Sequence, residues 1–190
     1  MNAADLAIDR TRAALLVIDI QDRLAAAMDP AALGEIEKNT ATLIEVARRF
    51  AIPVVVSEQY PRGLGHTRAA IAAALAAGGD VSTLEKVEFG VCEAPGFSAL
   101  ADDLGRDQWI VTGMETHVCV YQSVRQLAQR GAGVFVVGDA VLSRAPANRA
   151  VGLALCERAG AIVTSTETVA FDVLGRAGGP DFKAISQLIK

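Results

Sequence analysis

Short apolar runs along the chain alternate with longer stretches whose apolar residues recur every three or four positions. Six short runs read as β-strands: Ala13–Asp19, Pro53–Ser57, Ser82–Lys86, Gln108–Thr112, Gly133–Val137 and Ala161–Thr164. Most are continuously apolar, which is the pattern of strands covered on both faces. The third is the exception, because Lys86 and its polar neighbours interrupt it. The stretches between them predict helices. One starts at Asp29–Pro30, an N-cap followed by proline, and runs to about Phe50 with Ile36, Leu43, Ile44 and Ala47 on one face. Others span Thr67–Ala77, Thr116–Arg130 and Pro146–Ala159, each followed by the glycine that commonly stops a helix. Shorter helices are expected near Ser98–Leu104 and Asp181–Ile189. Repeated strand–helix–strand order predicts an α/β, doubly wound, mainly parallel six-stranded sheet with helices on both faces. No linker, repeat or low-complexity segment divides the chain, so a single domain over residues 1–190 is expected.

Composition narrows the function without naming it. The chain is 52% hydrophobic and 21% charged, with a net charge of −4. Its charges are intermixed with no basic stripe, so nucleic acid is not an expected partner. The apolar runs are too short to cross a bilayer, and the N-terminus has no signal-peptide pattern. Three cysteines form no disulfide framework, which points to a reducing, cytoplasmic location.

Chemistry gathers at strand ends. Asp19 closes the first strand in LLVIDIQD, Lys86 closes the third in STLEKVEFG, and Cys119 follows the fourth in WIVTGMETHVCV. In a parallel sheet all three fall on the carboxyl rim, where open α/β folds bind ligands. Thr116 is the expected N-cap of the next helix, which places Cys119 in its first turn, where free N–H groups and the helix dipole favour thiolate. Asp19 is positioned to take the thiol proton and return it to a leaving group. Backbone N–H groups of Glu115 and Cys119 are candidates for cradling an oxyanion. Gln21, Tyr60, Phe89 and Cys92 lie near the same rim and are candidates for the substrate pocket.

Four segments in order carry a resemblance: LLVIDIQD, EKVEFG, TGMETHVCV and GDAVLSR. Together they resemble the isochorismatase-like cysteine hydrolase superfamily over most of the chain. Within it, SEQYPRGLGHT and METHVCV are most similar to the small isochorismatase domain-containing hydrolases. The resemblance implies Asp19 as general acid/base, Lys86 as electrostatic support and Cys119 as nucleophile. It implies a cis peptide between Met114 and Glu115 that turns the Glu115 N–H toward the oxyanion. It also implies strand order 3-2-1-4-5-6, with Lys86 reaching in from two strands away, roughly 10 Å, and a homo-oligomer.

The chain departs from the metal-dependent branch of that superfamily. Around the second strand only His66 is on offer, with Glu58 as a further donor, so no metal and no cofactor are expected. His117 stands two residues before Cys119 and so points to another helical face, which argues against a Cys–His pair. Cys156 fits a helix core and Trp109 a packing role; Gly131–Ala132–Gly133 lies between helix and strand, the wrong order for a dinucleotide site. The leading expectation is metal-independent hydrolysis of a small amide or carbamoyl compound through a thioester. Two alternatives stay open: vinyl ether hydrolysis using Asp19, and a redox-sensing or binding protein with a reactive Cys119.

Overall fold

The computed structural model describes residues 6–189. Six strands form one all-parallel sheet: β1 (Ala13–Ile18), β2 (Val54–Gln59), β3 (Val81–Lys86), β4 (Gln108–Met114), β5 (Gly133–Leu142) and β6 (Ile162–Thr164). Their order is β3-β2-β1-β4-β5-β6. The chain starts at the centre, winds outward to β3, then crosses back to β4 beside β1. That reversal puts a switch point between β1 and β4 at the carboxyl rim.

The sheet divides the core into two apolar layers, as alternating side chains require. On one face Leu15, Val17, Val54 and Ile110 pack against α2 (Pro30–Arg49) and α8 (Thr166–Leu174). On the other, Leu16, Ile18, Val55 and Trp109 pack against α5 (Phe97–Leu104), α6 (Tyr121–Gln129) and α7 (Pro146–Arg158). The other α-helices are the short α1 (Asp22–Ala25) and α3 (Pro61–Leu64), with α4 (Ala69–Ala76) and α9 (Gly179–Leu188). Asp29 caps α2 by accepting from the Ala32 N–H at 2.9 Å, with Pro30 in the first turn, as the sequence predicts.

Several boundaries differ from the sequence reading, each for a local reason. Strand β2 runs on through Glu58 and Gln59, read as loop because they are polar; both stay paired, Glu58 to Glu85 and Gln59 to Lys86. Strand β5 runs to Leu142 rather than Val137. It does so across a register shift in which Val111 faces Val136 and Gly113 faces Val141. Helix α8 was not anticipated, although Ser165 caps it through the Thr168 N–H at 3.2 Å.

The expected helix Thr116–Arg130 divides in two. It opens with a π turn, Thr116–Val120, before α6 begins at Tyr121. Glu115, not Thr116, stands at its cap, and the Glu115 carbonyl accepts from both Val118 N–H (3.0 Å) and Val120 N–H (3.3 Å). The Thr116 hydroxyl is buried without a hydrogen-bond partner among the described residues, so it caps nothing.

Candidate active site

Asp19 is the hub of the rim. The residue leaves β1 with φ 51°, a left-handed backbone that aspartate tolerates better than most residues. Its side chain is turned into the sheet edge and fully buried. One carboxylate oxygen accepts from Ser57 Oγ at 2.7 Å, and the other accepts from Lys86 Nζ at 2.6 Å. The Cys119 thiol lies close enough to this carboxylate for each to shift the other's titration. A thiol, a carboxylate and an ammonium from three separate segments therefore form one contiguous group.

Lys86 crosses β2 to reach Asp19. Its ammonium donates to Asp19 Oδ2, to Gln59 Oε1 at 2.7 Å and to the Phe89 carbonyl at 3.3 Å. Neither side chain of the Lys86–Asp19 pair has any exposed surface. Burial pushes the Asp19 carboxyl above the usual carboxylate range, against the pull of Lys86, of the Ser57 hydrogen bond and of the Cys119 thiol.

Cys119 retains 5% of its surface. Burial pushes its thiol up to about 12; the Asp19 carboxylate adds to that and the Lys86 ammonium opposes it. This corrects the expectation of a resting thiolate. The helix-start geometry behind that expectation is replaced by the π turn, and desolvation outweighs the nearby cation. Burial thus favours a neutral thiol beside the carboxylate. The Met114–Glu115 peptide is cis, as the resemblance implies. Glu115 is held by its own side chain, which accepts from the Arg144 N–H at 3.0 Å.

The pocket candidates separate. A cavity of about 350 Å³ is lined by Lys86 together with Tyr60, Arg62, Glu85, Glu88 and Pro95 among others, but by neither Asp19 nor Cys119; of the four candidates Tyr60 is on its wall. Gln21 is instead a buried clamp: its amide donates to the Gln59 and Gly65 carbonyls (3.0 and 2.6 Å) and accepts from the Gln59 N–H (2.7 Å). Phe89 contributes its carbonyl to Lys86 while its ring is 53% exposed. Cys92 is half-buried in the apolar layer beside Cys119's own cluster, its thiol pushed up to about 11 by burial.

Other candidates fall away from the chemistry. His117 turns to Ser143 Oγ (3.1 Å) and Asn148 (3.4 Å). His66 is largely exposed and pairs with Glu58 at 2.9 Å, while the other Glu58 oxygen takes the Thr67 N–H and hydroxyl. Both Glu58 oxygens thus accept hydrogen bonds within the protein. Cys156 and Trp109 are buried in the core, as expected. Ser57 and Gln59 were missed. The available signal was their spacing: two residues apart on a strand, they share a face.

Comparison with known proteins bears on the family. The model of the isochorismatase domain matches residues 13–168. A secreted isochorismatase effector, Isc1, of Phytophthora sojae is 37% identical over 152 residues, covering 80% of this chain and 72% of that protein. Isochorismatase domain-containing protein 1 of Salmo salar is 34% identical over 172 residues; the match takes in 90% of this chain but 59% of the salmon protein. A solved structure described as the MAR1 ribonuclease of Caenorhabditis elegans superposes with TM-score 0.87 at 36% identity, covering 96% of this chain and 92% of its own.

Proposed function

Since the chain belongs to the isochorismatase family of hydrolases, we propose that it is a metal-independent cysteine hydrolase acting on a small amide or carbamoyl compound. The observation that carries this reading is the shared carboxylate, one Asp19 side chain bonded to Lys86 and Ser57 with the Cys119 thiol beside it.

The chemistry follows from that contact. As Cys119 sulfur bonds to the substrate carbonyl carbon, its proton passes to Asp19, and the carbonyl π electrons move to oxygen. The N–H groups of Glu115 and Cys119 take up the oxyanion. Collapse re-forms the carbonyl and breaks the C–N bond; the departing nitrogen takes the proton from Asp19, leaving a thioester. Water then adds to the thioester, giving a proton to Asp19, and the proton returns to sulfur as the acid leaves. Lys86 holds positive charge beside these groups throughout. A carboxyl whose pKa is raised by burial suits both directions of transfer, because its carboxylate is a stronger base than an exposed one and, once protonated, holds the proton closer to neutral pH until the leaving group takes it.

Vinyl ether hydrolysis is the second reading, favoured by that same raised carboxyl, which can protonate a substrate without the thiol. A redox-sensing role is disfavoured by a thiol held protonated. The worm structure's name brings RNA into view, but here the chain is net negative and its charges form no basic stripe. The test is a panel of small amides, carbamoyl compounds and isochorismate, assayed with wild type, Cys119→Ala and Asp19→Asn. Ammonia release that drops about 10³-fold or more in Cys119→Ala is expected. Isochorismate turnover that survives Cys119→Ala but not Asp19→Asn selects the second reading instead.

A further inference from the structure

Lys86 belongs to β3, yet its partner Asp19 ends β1, and β2 lies between them. The ammonium must therefore travel over β2, whose end presents Ser57 and Gln59 on one face. An ammonium has three donors. Here all three have acceptors: Asp19 Oδ2, Gln59 Oε1 and the Phe89 carbonyl. The Phe89 contact is the longest at 3.3 Å, so Gln59 is the principal support opposite the carboxylate.

Gln59 is itself held against rotation. Its Nε2 donates to the Val87 carbonyl at 2.8 Å, which leaves Oε1 facing the ammonium. Its backbone is fixed by Gln21 through both the N–H and the carbonyl. Its place in the ladder is opposite Lys86 itself. Segments from the ends of β1 and β3 thus converge on Gln59, the last residue of β2, whose side-chain amide is oriented by Val87 and Lys86.

We infer that Gln59 is a positioning residue that acts through Lys86: its amide oxygen holds the ammonium against Asp19, so that the carboxylate stays aligned to receive the Cys119 proton. The inference rests on the Cys119–Asp19–Lys86 reading and deepens it. Two roles of the side chain can be separated. Gln59→Met keeps the volume and removes both contacts. Gln59→Glu keeps an acceptor oxygen for Lys86 but loses the donor to Val87.

The test reads the ammonium directly. In a ¹H–¹⁵N correlation of lysine ammonium groups, wild type is expected to give one protected, slowly exchanging signal, assigned by its loss in Lys86→Met. That signal disappears in Gln59→Met and persists in Gln59→Glu. In parallel, iodoacetamide labelling of the Cys119 peptide, followed by mass spectrometry, slows by about tenfold in Gln59→Met, the worth of one hydrogen bond to a charged group. Absence of the protected signal in wild type, its survival in Gln59→Met, or its loss in both variants overturns the inference; the last outcome assigns Gln59 to holding the Val87 turn. Should Gln59→Met not fold, the signal in wild type and Gln59→Glu decides. Neither readout uses turnover, so a chain that hydrolyses no amide yet gives this pattern loses the proposed reaction and keeps the role of Gln59.

Discussion

At the scale of single residues, the site is a buried charge pair put to use. Asp19 and Lys86 are both without exposed surface and lie 2.6 Å apart. Such a pair is poor evidence for stability, because desolvating two ions offsets most of their attraction. Breaking one side is another matter. Asp19→Asn strands the Lys86 ammonium and is expected to destabilise the fold by about 3–5 kcal/mol. Adding Lys86→Met removes the stranded charge and recovers most of that loss, while hydrolysis stays abolished in both. Denaturant unfolding of the two variants checks this; a double variant no more stable than the single one contradicts it. Asp19, Lys86 and Cys119 were legible from sequence because each is a reactive type ending or following a strand. Gln59 was not, because glutamine near a strand end looks like loop, and only the ladder pairing with Lys86 gives it a task.

At the scale of elements, the π turn decides where the sulfur sits. Gly152 of α7 lies directly against it: a Cβ there would stand 2.7 Å from both His117 N and the Thr116 carbonyl carbon. Gly152→Val is therefore expected to push Thr116–Val120 away from Asp19. Hydrolysis should fall at least about tenfold, with destabilisation of about 1–3 kcal/mol. The kinetic constants and melting curve of the variant check this, and unchanged activity contradicts it. The turn could not be read from sequence. METHVCV has the polar start of an ordinary helix, and the signal that fails is Thr116, a good cap type whose hydroxyl here bonds nothing described. Helix α8 fails differently. Its cap Ser165 and its apolar Val169, Ala170 and Val173 carry a readable helical spacing. The extended β5 follows from its register shift, a tertiary feature that no local pattern announces.

At the scale of the whole molecule, topology is what brings the site together. Strand order places β1 between β2 and β4, so the Asp19 end meets Ser57 and Gln59 on one side and the Cys119 turn on the other. Apolar strand runs and glycine-stopped helices specify the doubly wound sheet, and the family resemblance carried by four motifs implies the order of its strands. A buried thiol held neutral by its surroundings is then the expected starting state, and covalent attack is the event that draws off its proton. The decisive measurement is mass spectrometry of enzyme quenched during turnover of whichever amide the panel identifies. The account predicts an acyl adduct on the Cys119 peptide that forms and decays at the turnover rate and is missing in Cys119→Ala. Sustained hydrolysis of that amide by Cys119→Ala, with no adduct on the wild-type sulfur, contradicts it.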